Sequence, residues 1–321
     1  MKTQFDITKI KETKSIALYV GTVLIFVAFT MLCNTKGINF LSALNISNII
    51  VQSTIIAIIA IGQSIVIISG GIDLSVGSVA GFSAMFTGVL MMNFGFSVPA
   101  AIVISLLGGM AIGMANGVII SIGKVPAFIM TLGMMSIARG GALAVNGGMP
   151  VTNMPFSLSR LALDVKGIPC FIIYVIVLYA IMIAVMHKTV LGRHIYAVGG
   201  NEKSARLSGI NVTRIQIIAY MLSGLFAAIG GVLLLARLMY GSPSGGSGYE
   251  LNAIAAAILG GIAMSGGSGR IFNTFIGAII MGSLNTGLQI LNVPTYFQQI
   301  TIGVVIVLAV FFDKKSERKA E

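Results

Sequence analysis

The sequence predicts an all-α polytopic membrane protein of about ten transmembrane helices arranged as an inverted repeat, and three observations carry that prediction. Apolar side chains make up 56% of 321 residues, the mean hydropathy is +1.00, and only 9% of residues are charged. A soluble domain needs far more charged and polar surface than this. Second, the apolar residues fall into runs near the roughly 20 residues that cross hydrocarbon. Third, the basic residues sit at the ends of those runs and form no stripe interleaved with aromatics, so a net charge of +11 reads as topology and not as nucleic-acid binding.

The first run, 16–33, follows Lys2, Lys9, Lys11 and Lys14 and resembles a signal peptide in outline. It is too long for a typical signal core and has no A-x-A exit, and Leu32 before Cys33 does not fit a lipoprotein cleavage site, so it is read as a retained span. Further runs lie at 48–69, 74–92, 98–120, 126–145, 169–186, 215–236, 251–264, 271–290 and 294–312. The run 251–264 is short enough to be re-entrant. With ten spans and the N-terminus inside, Lys2, Lys9, Lys11, Lys14, Lys124, Lys188, Arg193, Lys203, Arg206, Arg214, Arg270, Lys314, Lys315, Arg318 and Lys319 are cytoplasmic. Only Lys36, Arg139, Arg160, Lys166 and Arg237 fall outside, where Arg139 and Arg237 can snorkel from span ends. Omitting 251–264 would move Arg270 and the basic tail outside, against the positive-inside rule.

The chain repeats itself. GIDLSVGSVAGF from Gly71 aligns with GYELNAIAAAIL from Gly248, setting Asp73 against Glu250, and GMANGVIISIGKVP aligns with GSLNTGLQILNVP, setting Asn116 against Asn285. Matched spans are an odd number apart and therefore cross in opposite directions. The halves, about 48–145 and 215–312, make spans 2–5 and 7–10 an inverted repeat within one permease domain covering 1–321, a pattern of transporters.

Between the halves lies a polar, basic loop, 188–214. Asn201 suits an N-cap, Glu202 to Ser208 supplies two helical turns with Glu202 and Arg206 at i,i+4, and Gly209 supplies a left-handed stop. A short capped helix on a cytoplasmic loop is a docking element or an ordinary solvated connection.

Chemistry-bearing residues are few. Asp73 and Glu250 precede repeat-related helices; structural capping and ion binding are both open, and the lack of any carboxylate inside a span favours capping. Gly109, Gly113 and Gly117 form a GxxxGxxxG packing stripe, echoed by Gly282 and Thr286. Asn116 and Asn285 lie beside these stripes and face either the pathway or a neighbouring helix. Gln52, Gln63, Gln289, Gln298 and Gln299 are open in the same way. There is no P-loop, no metal-ligand spacing and no nucleophile paired with a base, so neither an ATPase nor a membrane enzyme is indicated. An ATP-independent secondary carrier stays open, since the inverted repeat permits it.

SGGIDLSVGS (69–78), LGRHIYAVGGNEKSARLSGINV (191–212), ARL (236–238), GYELNAIAAAILGG (248–261) and GGSGRIFNTFIGAIIMGSLNTGL (266–288) resemble the permease subunit of bacterial sugar importers of the ATP-binding-cassette type. The resemblance is to the ribose, xylose, arabinose and galactoside permeases, with the ribose members nearest. The motif residues that carry it are Gly71, Asp73, Leu74, Ser75, Gly77, Gly248, Glu250 and Asn252; at Asn252 the family usually has an acid, so this chain has one fewer outer-side negative charge. The resemblance implies a monosaccharide substrate, with ribose foremost and xylose, galactosides and the ribose-like signal autoinducer-2 as alternatives. It implies a second copy of the permease, a cytoplasmic ATPase subunit that binds the ATP and Mg, an extracytoplasmic sugar-binding protein, and a bacterial plasma membrane with both termini cytoplasmic. It also implies that Gly200, Asn201, Glu202, Lys203, Arg206, Leu207, Ser208 and Gly209 form the element that engages the ATPase. No cofactor, metal or nucleic acid is expected in this chain.

Overall fold

A computed structural model describes residues 2–165 and 168–317, with side chains from 18 onward apart from a few near 165–168 and at the C-terminal end. Lys166, Arg318 and Lys319 of the charge count lie outside the described residues, and so do the side chains of Lys2, Lys9, Lys11, Lys14 and Lys315.

The described chain is helical apart from one two-residue antiparallel ladder, Asp164–Val165 with Ile168–Pro169, and a bridge between Val151 and Gly241. In order the helices are α1 (Lys2–Asn34), α2 (Ala43–Ile68), α3 (Val76–Met92), α4 (Val98–Ser121), α5 (Ala127–Ala144), α6 (Phe156–Ser159), α7 (Cys170–Lys188), α8 (Val190–Gly200), α9 (Glu202–Leu207), α10 (Val212–Leu238), α11 (Tyr249–Leu259), α12 (Ile271–Ile290) and α13 (Thr295–Glu317). Six of them, α2, α4, α5, α7, α10 and α12, are long and apolar enough to cross a membrane, and four shorter apolar helices lie at Leu18–Asn34, Val76–Met92, Tyr249–Leu259 and Thr295–Phe311. Every apolar run read from the sequence is thus occupied by a helix, and the polytopic α-helical class holds.

The boundaries follow local chemistry. The Ser42 hydroxyl accepts from the Asn45 N–H to start α2. Pro126 and Pro169 stand at the N-caps of α5 and α7, where a missing N–H leaves no helical bond unmade. The stretch of α2 from Ser53 to Ile68 is buried on every face, which is the mark of a core helix. α10 is its partner in the centre, while α1, α4, α5, α7 and α13 leave large apolar side chains on the outer surface.

Packing is set by glycines. On α4, a Cβ at Gly109 or Gly113 would overlap the Gly224 or Tyr220 carbonyl of α10, and one at Gly117 would press on the Ile217 Cα. The stripe therefore brings the two backbones into contact, as the spacing predicts. Gly282 of α12 meets Ser53 of α2 in the same manner. The pairs α10–α4, α10–α3, α3–α4 and α3–α5 have counterparts in α2–α12, α2–α11, α11–α12 and α11–α13.

Two elements differ from the sequence reading. The helix of the run 251–264, α11, starts at Tyr249 and ends at Leu259; its eleven residues reach about 16 Å at 1.5 Å per residue against a hydrocarbon thickness of about 30 Å. Gly261, Gly266, Gly267 and Gly269 then take positive φ, which ends the helix and folds the chain into a turn. The loop 188–214 contains α8 as well as the short helix: Thr189 caps it, and Gly192, Ile195 and Val198 bury one face.

Candidate functional site

The side chains singled out from the sequence gather in two places, with a third cluster that sequence reasoning left unassigned.

The first is the α8–α9 element. Asn201 does two jobs: its N–H bonds to the Ala197 carbonyl to close α8, and its Oδ1 accepts from the Ser204 N–H at 2.9 Å to open α9. The helix runs one residue shorter than Glu202 to Ser208, with Ser208 as C-cap and Gly209 at φ +83°. Arg206 and Glu202 pair at 2.9 Å on the exposed face, beside exposed Lys203. Ala205 turns inward, whereas Leu207 is 90% exposed, so an apolar knob projects between charges. Gly200 faces Gly267. A Cβ at Gly199 would overlap the Ile68 carbonyl at the end of α2, and that carbonyl also accepts from the Gly267 N–H at 2.9 Å. The Tyr196 hydroxyl donates to the Gly269 carbonyl at 2.9 Å. Burial pushes the Tyr196 phenol up, and the Arg270 guanidinium draws it partly back. The element is therefore seated on the end of α2 and on the turn between α11 and α12, through backbone contact at Gly199 and Gly200 and through the Tyr196 hydroxyl.

The second is the pair of helix starts. Asp73 is 1% exposed and accepts from the Ser75 N–H at 2.9 Å, the Ser75 Oγ at 2.6 Å and the Ser223 Oγ at 2.8 Å. Asn116 Nδ2 donates to the Ser75 Oγ at 3.1 Å. One carboxylate thus ties the start of α3 to α4 and α10. Gly71 leaves room for the Tyr220 hydroxyl, which donates to the Ile72 carbonyl at 3.2 Å, and Leu74 is half-buried alongside. In the other half, Glu250 Oε1 accepts from the Gly248 N–H at 3.1 Å and the Asn252 amide donates to the Gly248 carbonyl at 2.8 Å. Asn285 Nδ2 donates to Asn252 Oδ1 at 3.0 Å. Ser75–Asn116 and Asn252–Asn285, the pairs that the sequence alignment of the two halves matches, are both hydrogen-bonded. Gly77 carries α3 against the Glu250 carboxylate and the Gly246 carbonyl, where a Cβ would collide with both.

The third cluster was read from the sequence only as snorkelling arginines. Arg139 does not snorkel: it donates to the Pro243 and Gly245 carbonyls at 3.0 and 2.8 Å, pinning the turn before α11 to α5. Arg237 turns to α2 and donates to Gln52 Oε1 at 2.7 Å. A span-end arginine with no acid nearby gives no sequence signal for its partner, because the partner is 185 residues away. Ser223 was missed for the same reason.

Packed apolar helices around two buried ones, an exposed capped helix on one loop, and buried polar ties at the breaks define a polytopic α-helical membrane protein. The model of the family described as branched-chain amino acid transport system / permease component matches residues 45–310, and the chain belongs to that family. It is similar to the ribose import permease protein RbsC of Escherichia coli (strain K12), 42% identical over 294 residues that cover 88% of this chain and 90% of that one. It is similar also to RbsC of Bacillus subtilis (strain 168), 41% identical over 281 residues covering 86% and 87%, and to the D-allose transport system permease protein AlsC of E. coli K12, 39% identical over 276 residues covering 86% and 85%. No solved structure shows significant similarity.

Proposed function

We propose that this chain is the membrane subunit of an ATP-driven importer for a monosaccharide, and that the sugar is D-ribose. The observation that carries the reading is identity of about 40% across most of the chain to ribose import permeases of both Escherichia and Bacillus. The energy source is placed outside the chain because no phosphate-binding loop occurs in it; a separate cytoplasmic subunit binds ATP and Mg. That subunit docks on Gly200 to Gly209, where the exposed Leu207 offers an apolar knob and Glu202, Lys203 and Arg206 offer charges.

The transport unit contains two copies of the chain and receives sugar from an extracytoplasmic binding protein. The chain spans the bacterial plasma membrane ten times with both termini inside, and its halves form an inverted repeat. The matching helix pairings and the matched Ser75–Asn116 and Asn252–Asn285 bonds support that symmetry. Asn116 and Asn285 border the pathway from behind, holding the starts of α3 and α11. ATP-driven closure of the ATPase dimer moves α9, and the contact of Gly199 and Gly267 with the end of α2 passes that motion to the core. Transport follows from differing affinity for sugar in the outward and inward states.

The test is reconstitution of the permease with its ATPase and binding protein in liposomes. ATP-dependent uptake of D-ribose, competed by excess ribose but not by leucine, is the expected result. Uptake by the permease alone, driven by an ion gradient, overturns the reading in favour of a secondary carrier. Uptake of leucine instead overturns the sugar assignment.

A further inference from the structure

We propose that the groove between α4, α7 and α10 is a binding site for an anionic phospholipid, with an acyl chain in the groove and the phosphate on Arg160. α4 packs closely along α10, whereas α7 packs chiefly on α2, α8 and α12, and a gap is left between the two walls. Leu106 of α4 and Tyr174 and Val177 of α7 line that gap, with buried Val232 and Leu233 of α10 as its floor. The 3₁₀ turn Arg160–Ala162, which packs on both α7 and α10, adds Leu161 as a roof. The cavity measures about 280 Å³, and no polar atom lines it.

Such a lining selects its occupant. A sugar would leave its hydroxyls without partners there, and water needs several polar groups to stay in a cavity. An empty groove would cost its walls their dispersion contacts. α4, α7 and α10 are each long and apolar enough to cross a membrane, and Val177 is 49% exposed at the rim, so the groove opens sideways between spans. The medium beside it is hydrocarbon, and an acyl chain fills it.

Arg160 adds the choice of head group. It stands on the turn that roofs the groove, directly before Leu161, and its side chain is exposed. Among the described residues it forms no ion pair, not even with exposed Asp164 four residues on. A guanidinium binds phosphate through parallel N–H bonds, and a basic residue at a membrane surface draws anionic lipid. An apolar groove under an unpaired cation therefore matches the two ends of one molecule. In the orientation proposed above, that lipid belongs to the outer leaflet. The site is independent of which solute is carried.

The experiment places the purified full-length chain in nanodiscs of equal phosphatidylglycerol and phosphatidylethanolamine, strips bulk lipid with detergent, and counts retained lipid by native mass spectrometry. The unaltered chain is expected to keep one lipid, with a roughly fivefold preference for phosphatidylglycerol. Leu106→Trp, which fills the groove, should keep it roughly tenfold less often, whereas Arg160→Gln should keep a lipid without the preference. Ile181→Trp, 52% exposed on α7 and outside the groove lining, serves as the control and should match the unaltered chain. Equal retention in Leu106→Trp and Ile181→Trp, or an undiminished preference in Arg160→Gln, overturns the site. A change in the number of copies per particle in Leu106→Trp, with the lipid count unaltered, makes the groove a contact between copies and also overturns it. If Leu106→Trp melts below the control, Val177→Trp at the exposed rim takes its place.

Discussion

At the residue scale, two kinds of position do different work. Gly113 lies where a side chain would enter the Tyr220 carbonyl of α10, and the opposing Gly224 would in turn enter α4. Neither helix can retreat without losing the other contacts of the stripe. Gly113→Leu is therefore expected to lower the melting temperature of the purified protein in detergent markedly, by the 1–3 kcal/mol or more typical of overpacking. Gly21→Leu serves as the control, since nothing lies within 4 Å of a Cβ there and no shift should follow. Equal melting of the two variants would remove the packing argument. Asp73 is the other kind: buried, charged chemistry held by three short bonds from Ser75 and Ser223. Asp73 stands two residues before the N-cap Ser75 and bonds no N–H inside α3, so its carboxylate ties Ser75 to Ser223 of α10 instead of capping the helix in the usual way.

At the element scale, α9 is six residues long and too short to be stable alone. It is held by the Asn201 cap, the Gly209 stop and its seat against α8 and α10. Its Glu202–Arg206 pair is exposed, and a surface i,i+4 pair contributes only about 0.3–0.5 kcal/mol. Reversing Glu202→Lys or Arg206→Glu should leave the folded permease intact in the membrane while uncoupling ATP hydrolysis from uptake, read as sugar moved per ATP consumed. An unchanged ratio would remove α9 from the coupling path. The cap and stop were legible in the sequence because each acts within four residues. α8 was not, because its apolar face is interrupted by Gly, Arg, His and Tyr and makes sense only against the loop ends it covers.

For the molecule as a whole, orientation is the property still argued from charge. Cysteine labelling checks it in a background carrying Cys33→Ser and Cys170→Ser. Leu207→Cys should react with a membrane-impermeant maleimide only after cells are opened, whereas Phe94→Cys and Tyr296→Cys, both on exposed surface, should react in intact cells. Labelling of Leu207→Cys in intact cells would invert the topology, and protection of Tyr296→Cys would favour nine spans over ten. The eleven-residue α11 matters here. A helix that short is followed by a partly exposed turn against α8 and the end of α2, where irregular backbone is tolerated because other chain segments satisfy its polar groups. The Gly267 N–H bonded to the Ile68 carbonyl is one such satisfaction.

The sequence by itself determined the membrane class, the placement of the apolar helices, the packing stripe on α4 and the capped helix after Asn201. These rest on composition, on a spacing of four along one helix, or on hydrogen bonds between near neighbours, all of which are local. The tertiary structure alone decided that Asp73 reaches Ser223, that Arg139 holds the turn before α11, that Arg237 meets Gln52, and that α11 stops short. Those outcomes depend on which backbones approach closely enough to bond, and that is settled by glycine contacts between segments more than a hundred residues apart.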